Sequence, residues 1–177
     1  MAAADHTLAS AGPIPATRDI AGRWLTVGAV SNGLMAGTYV AFSAVVMPWL
    51  GTKGDADFVS TMQSINTGIE NPLFFTVFTA AMAAPAIAAW KLRAHGRTAM
   101  HWALFALALY TTTVLTTSGI NVPLNQALAH AGSVDPGTSR ADFETTWNIW
   151  NGIRAVLSTA AAVAMFKATR LHRRNRA

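Results

Sequence analysis

The sequence predicts an all-α integral membrane protein, a four-helix bundle with an amphipathic helix in its first outer loop. Three observations carry this reading. Of the 177 residues, 52% are hydrophobic and 12% are charged, whereas soluble domains carry about 25% charged residues. Four long runs are almost free of charge, and the basic residues sit in short clusters at their ends. Such clusters hold the cytoplasmic ends of membrane helices, so the net charge of +5 does not point to nucleic acid, which would need one basic patch.

Residues 1–22 are rich in Ala, Gly, Pro and Ser and lack an apolar core. They read as a disordered cytoplasmic tail, not as a cleavable signal peptide, and the first membrane helix becomes its own targeting signal. The membrane domain covers residues 23–167. Its first span, 25–50, contains no charge and, at about 1.5 Å per residue, easily crosses a hydrocarbon core of about 30 Å. The second, 73–90, is entered through Asn71 and Pro72 and left through Lys91, Arg93 and Arg97. A proline in a first turn forfeits no hydrogen bond, so this is a natural start. The third, 102–120, is expected to end where Pro123 lacks an amide donor and biases Val122 away from helix. The fourth, 147–166, is interrupted by Arg154 and followed by a basic cytoplasmic tail, 168–177.

Orientation follows from the placement of Lys and Arg. Arg18 and Arg23, then Lys91, Arg93 and Arg97, then Lys167, Arg170, Arg173, Arg174 and Arg176 fall on one side, and only Lys53 and Arg140 lie in the other two loops. The expected location is the plasma membrane, multi-pass, with both termini cytoplasmic. In the first outer loop Phe58, Met62, Ile65 and Ile69 recur at helical spacing, with Asp55 and Asp57 available to cap the start and complement its dipole. A neighbouring stripe carries Gln63, Asn66 and Glu70. The second outer loop, 130–140, contains turn-forming Gly132, Asp135, Pro136 and Gly137.

Arg154 is the strongest chemical signal. It lies about 18 Å from the inner end of its span, where a cation costs about 2.5–3.5 kcal/mol on insertion scales. Either it faces the bundle interior with partners, or it snorkels to lipid headgroups. Spacing favours the interior, because Trp147, Asn151, Arg154 and Ser158 share one helix face. That face is a site or a polar seam that holds helices together. The first span repeats the theme with Asn32, Tyr39 and Ser43 on one stripe, beside a small-xxx-small surface made by Gly33 and Gly37. Asn32 is equally readable as an interhelical hydrogen bond. At the end of the third span Asn121 and Asn125 flank Pro123, and irregular backbone at membrane depth is tolerated mainly where it lines a cavity or is buried in protein. The alternative is an ordinary helix stop capped by Asn.

Other chemistries find little support. There is no cysteine, no His pair or acidic cluster at ligand spacing for a tightly bound metal, and no glycine-rich phosphate loop or nucleophile with an evident base. An intramembrane acid relay or repeated broken helices, usual in channels and transporters, is not evident either.

Over roughly residues 27–166 the chain resembles the anthrone oxygenase-like family of small four-helix membrane proteins. The resemblance rests on Asn32 and Gly33 with Ala36 and Gly37, Pro48, Gln63 and Asn66, Asn71 and Pro72, the Asn121, Val122, Pro123, Leu124, Asn125 run, and Trp147, Trp150, Asn151 and Arg154. It implies oxidation of a hydrophobic phenolic or anthrone-like substrate, with dioxygen as co-substrate and no tightly bound cofactor. Arg154 would stabilise the developing oxyanion, Asn151 and Asn121 would donate further hydrogen bonds, and Glu70 would be the base or the counterion of Arg154. Trp147 and Trp150 would stack on the substrate rings, with Asn32, Tyr39, Gln63, Asn66 and Asn125 completing the binding residues. The rival reading is a non-catalytic membrane module, a small-molecule binder or a partner subunit. The implied partners are the lipid bilayer and a hydrophobic small molecule; a homo-oligomer stays open.

Topology is directly testable. Reporter fusions after residues 20, 95 and 175 should be cytoplasmic, and fusions within residues 52–64 or 133–139 should be external. An external signal from residue 95 would overturn the map.

Overall fold

The computed structural model describes residues 19–94, 96–131 and 135–176. Their fold is all-helical. Four helices are long and apolar enough to cross a membrane: α1 (Ile20–Gly51), α3 (Pro72–Leu92), α4 (Arg97–His130) and α5 (Pro136–Arg174). The short helix α2 (Asp55–Ile69) joins α1 to α3. Around the bundle the order is α3, α1, α5, α4 and back to α3. Large apolar side chains such as Val30, Leu34, Leu115, Val156 and Phe166 point outward, as a lipid-facing surface requires.

The expected tail of residues 1–22 falls mostly outside the described residues. Its last part forms the start of α1, where Asp19 Oδ1 accepts the Gly22 amide at 2.9 Å. The Asp19 carboxylate also lies 2.9 Å from His172 Nε2 and 3.1 Å from Arg176 Nη1, which ties the two ends of the chain together. Burial alone would raise its pKa. The Gly22 hydrogen bond and the two basic partners outweigh it and hold the carboxyl below its usual range. Helix α5 continues through the basic segment to Arg174. At its other end it begins at Pro136, capped by Asp135 accepting from the Thr138 amide at 3.1 Å, so the exposed turn expected at 130–140 is mostly helix; 132–134 lie outside the described residues.

The bundle half nearer the termini is built from small residues. Ala81, Ala88, Ala103, Ala106, Ala161, Ala164 and Ala168 are buried around Leu25, Met35 and Met165, and small side chains let membrane helices approach closely. Here Asn32 has a clear structural role. Pro85 lies inside α3 and has no amide for the Ala81 carbonyl four residues back. Asn32 Nδ2 donates to that carbonyl at 2.9 Å. Gly33 and Gly37 do not pack against the described residues: both are exposed, and a Cβ added at either meets none of them within 4 Å.

At the opposite end a second core gathers Met47, Leu50, Phe58, Val59, Met62, Leu128, Phe143 and Trp147. Phe58 and Met62 come from α2, whose predicted apolar stripe therefore lies on the bundle. Neither Asp55 nor Asp57 caps it. The cap position is Gly54, without a side-chain bond, and Asp55 instead accepts from Arg140 Nη1 at 3.1 Å. Arg140 also donates to the carbonyls of Lys53 at 2.9 Å and Gly51 at 3.3 Å, pairs with Glu144 at 2.7 Å, and lies over the Phe58 ring. It fastens the start of α2 to α5. Arg140→Ala should free α2: amide exchange there should rise about tenfold or more, the effect of losing a charged hydrogen bond of about 1.5–3 kcal/mol, while exchange in the alanine-rich half stays unchanged. Unaltered exchange in α2 would show that its apolar stripe holds it alone.

Candidate functional site

Two prolines shape the site. In both α1 and α4 a five-residue π-helical turn, Phe42–Val46 and Thr117–Asn121, ends two positions before a proline, Pro48 and Pro123. Within each, one amide bonds five residues back, Met47 to Phe42 and Val122 to Thr117. A proline removes one rung of the helical ladder and its ring crowds the carbonyl four residues earlier; a widened turn takes up that mismatch. The third span therefore does not stop at Pro123. It runs on to His130 as one helix, because the extra residue is absorbed instead of breaking the chain's course.

Between the two cores, at the end opposite the termini, lies a cavity of about 340 Å³. Phe42, Thr117, Ser118 and Asn121 reach it from the widened turns, with Thr38 and Tyr39 beside them on α1 and Val122 and Asn125 on α4. Phe74, Phe75 and Phe78 line it from α3, Asn66, Ile69 and Glu70 from the end of α2, and Trp147, Asn151 and Arg154 from α5. Its deep wall is buried, whereas Phe75 and Val122 are 52% and 37% exposed and mark its mouth.

Arg154 is 6% exposed and faces the interior, so the snorkelling alternative does not hold. Its Nη2 donates to Asn151 Oδ1 at 2.9 Å and its Nη1 to Thr117 Oγ1 at 3.4 Å. The guanidinium carbon lies 4.6 Å from the Tyr39 ring centroid and 5.5 Å from that of Trp147. Among the described residues no carboxylate comes within 4.0 Å of it. Glu70 is thus not its counterion; it stands exposed at the end of α2, on the rim. Asn151 is fixed from both sides, since its Nδ2 donates to the Tyr39 carbonyl at 2.9 Å and to Ser43 Oγ at 2.8 Å. Asn125 Oδ1 accepts from Trp147 Nε1 at 2.8 Å, and Asn121 Nδ2 reaches the Trp147 carbonyl at 3.5 Å. Arg154 Nε, Tyr39 Oη, Asn121 Oδ1 and Asn66 Nδ2 are buried without a hydrogen bond among the described residues. Buried polar groups are normally paired, and these four all belong to residues lining the cavity.

A family model described as anthrone oxygenase matches residues 70–164. The chain belongs to the anthrone oxygenase family. No curated protein and no solved structure matches it. The matched region of this anthrone oxygenase family member holds Glu70, Asn121, Asn125, Trp147, Asn151 and Arg154, while Tyr39 and Asn66 lie before it.

Of the residues singled out in the sequence, the fold brings Arg154, Asn151, Asn121, Glu70, Tyr39, Asn66, Asn125 and Trp147 to the cavity. Asn32, Gln63 and Trp150 lie outside its lining. Asn32 serves the α1–α3 contact described above. Gln63 Nε2 donates to the Leu128 carbonyl at 2.8 Å, closing the end of α4 and pinning α2 to it. Trp150 is half-buried on another face of α5. Sequence reasoning missed Thr117 and the Phe74 and Phe78 walls. Thr117 carried a usable signal, its place six residues before Pro123; the phenylalanines carried none, since Phe75 beside them faces outward.

Asn151→Leu should leave Arg154 Nη2 without its partner and two groups on α1 without a donor. At about 1–3 kcal/mol for each buried group left unpaired, thermal unfolding in detergent should shift down by several degrees. A variant as stable as the parent would mean that water replaces all three bonds.

Proposed function

We propose that the protein is a membrane-bound oxygenase that oxidises a hydrophobic phenolic or anthrone-like substrate with dioxygen and needs no tightly bound cofactor. One observation carries the reading: a buried guanidinium, without a carboxylate partner among the described residues, faces an aromatic-walled cavity. An unpaired cation in a low-dielectric setting is costly, and a ligand that develops negative charge there is stabilised by several kcal/mol more than in water. The widened turn of α4, with its Thr117 and Asn121 side chains, adds polar groups to the lining. Family membership supports an oxygenase at the level of the family.

The chemistry then needs little from the protein. A base takes a proton from the doubly benzylic methylene of the substrate, and Glu70, the carboxylate in the cavity lining, would serve as that base. The resulting anion is delocalised onto the substrate oxygen, where Arg154, whose Nε has no partner among the described residues, stabilises it. Its electron pair passes to dioxygen, a carbon–oxygen bond forms, and the proton returns to give a hydroperoxide. Cleavage of the oxygen–oxygen bond with loss of water leaves a carbonyl. The methylene is oxidised by four electrons, and one dioxygen becomes the carbonyl oxygen and one water. Tyr39, Phe42, Phe74 and Trp147 would hold the ring system. The distribution of Lys and Arg supports an orientation with both termini cytoplasmic, which puts the cavity in the outer half of the bilayer.

Oxygen uptake by membranes containing the protein, with and without an anthrone, tests the reading. Arg154→Met should insert normally and lower turnover about a hundredfold or more, the usual effect of removing an oxyanion donor. Lys53→Met, on the exposed loop, should match the parent. Full activity in Arg154→Met would remove Arg154 from the mechanism, and uptake that appears only after added iron or copper would remove the cofactor-free step.

A further inference from the structure

Phe78 belongs to two spaces at once. On one side it walls the Arg154 cavity; on the other it heads a groove of about 460 Å³ between α3 and α4, lined by Met82, Ala83, Ala86, Leu107 and Thr111. Its ring is held in place, stacked on Phe74 at 5.9 Å and edge-on to Tyr110 at 5.8 Å. From Phe78 to Ala86 the groove follows α3 for about 12 Å toward the middle of the membrane. It is almost wholly hydrocarbon-lined. The exposed pair at the cavity mouth, Phe75 and Val122, lies on these same two helices, α3 and α4. Head cavity and apolar groove thus adjoin at Phe78, with the lateral mouth between the same two helices, whereas α2 covers the aqueous end and is pinned there by Gln63 and Arg140.

We infer that the ligand is a tailed phenol: its ring occupies the Arg154 cavity and an alkyl or isoprenoid chain leaves past Phe75 and Val122 to lie in the α3–α4 groove. This rests on the reading of the cavity given above and narrows its substrate class. A tail gains little from leaving one hydrocarbon medium for another. Its advantage is dispersion contact along a fixed groove and delivery of the ring from the bilayer at the right depth.

Binding of an acidic nitrophenol to the protein in lipid nanodiscs, read by quenching of tryptophan fluorescence, tests this with two probes, one bearing a decyl chain and one a methyl group. Comparing variants in identical bilayers cancels the partitioning of each probe. Ala83→Phe and Ala86→Phe should each weaken the decyl phenol about fivefold or more and leave the methyl phenol unchanged, whereas Arg154→Met should weaken both. If neither groove variant affects the decyl phenol, bilayer lipid fills the groove and the inference is overturned. Equal weakening of both phenols by both variants overturns it too. If instead the groove variants act selectively but Arg154→Met leaves the methyl phenol unaffected, the assignment of the cavity as an anion site fails and the tail groove stands.

Discussion

A single buried charge governs the architecture around it. A guanidinium at membrane depth is costly unless it finds partners, and among the described residues Arg154 finds dipoles and π-faces instead of a carboxylate, with its Nε left unpaired. Asn151 turns its carbonyl oxygen to Arg154 and its amide to α1, so that holding the cation also fastens α5 to α1. Tyr39 and Trp147 offer their rings. The positive charge is thus attracted by its neighbours and neutralised by no carboxylate among the described residues. A carboxylate in place of Asn151 would make a more conventional ion pair and would spend that charge within the protein.

The same cavity depends on two backbone irregularities that a regular four-helix bundle would not contain. Each widened turn puts one extra residue into a helical circuit, and both open toward the space between the alanine-rich half and the aromatic-rich half. Phe42 of one turn and Thr117, Ser118 and Asn121 of the other line that space, so the prolines stand beside the cavity and the α4 turn supplies part of its polarity. Pro85 shows the contrast: its missing amide is replaced by Asn32, and the helix around it stays closely packed.

Much of this was legible in the sequence, and what was not has a physical reason. The spans followed from uncharged runs, the inward face of α5 from the spacing of Trp147, Asn151 and Arg154, and α2 from its apolar period. Helix ends differ because Pro123 reads as a stop and Pro136 as part of an exposed turn, while a π-helical turn and a first-turn position accommodate them. Gln63 and Asn32 were grouped with the site because amides in a membrane protein signal a polar partner without saying which one; here the partners are backbone carbonyls left open by a helix end and by a proline. Trp150 shares a helix with the site and differs from Trp147 only in azimuth. The Phe74 and Phe78 walls were invisible because lipid and cavity make the same demand on a phenylalanine.

The covering helix α2 raises a question of order during synthesis. Its anchors lie far downstream: Gln63 binds the carbonyl of Leu128, 65 residues later, and Arg140 binds that of Lys53, 87 residues earlier in the chain. A chain emerging from the ribosome amino-terminus first would complete α2 long before either anchor exists. Until α4 and α5 have entered the membrane, the apolar face of α2 has only Met47 and Leu50 of α1 to join, and the bilayer surface, for which an amphipathic helix is suited, covers the rest. Closure of the cavity is thus the last event of insertion, and the finished roof reports that all four crossings have been made.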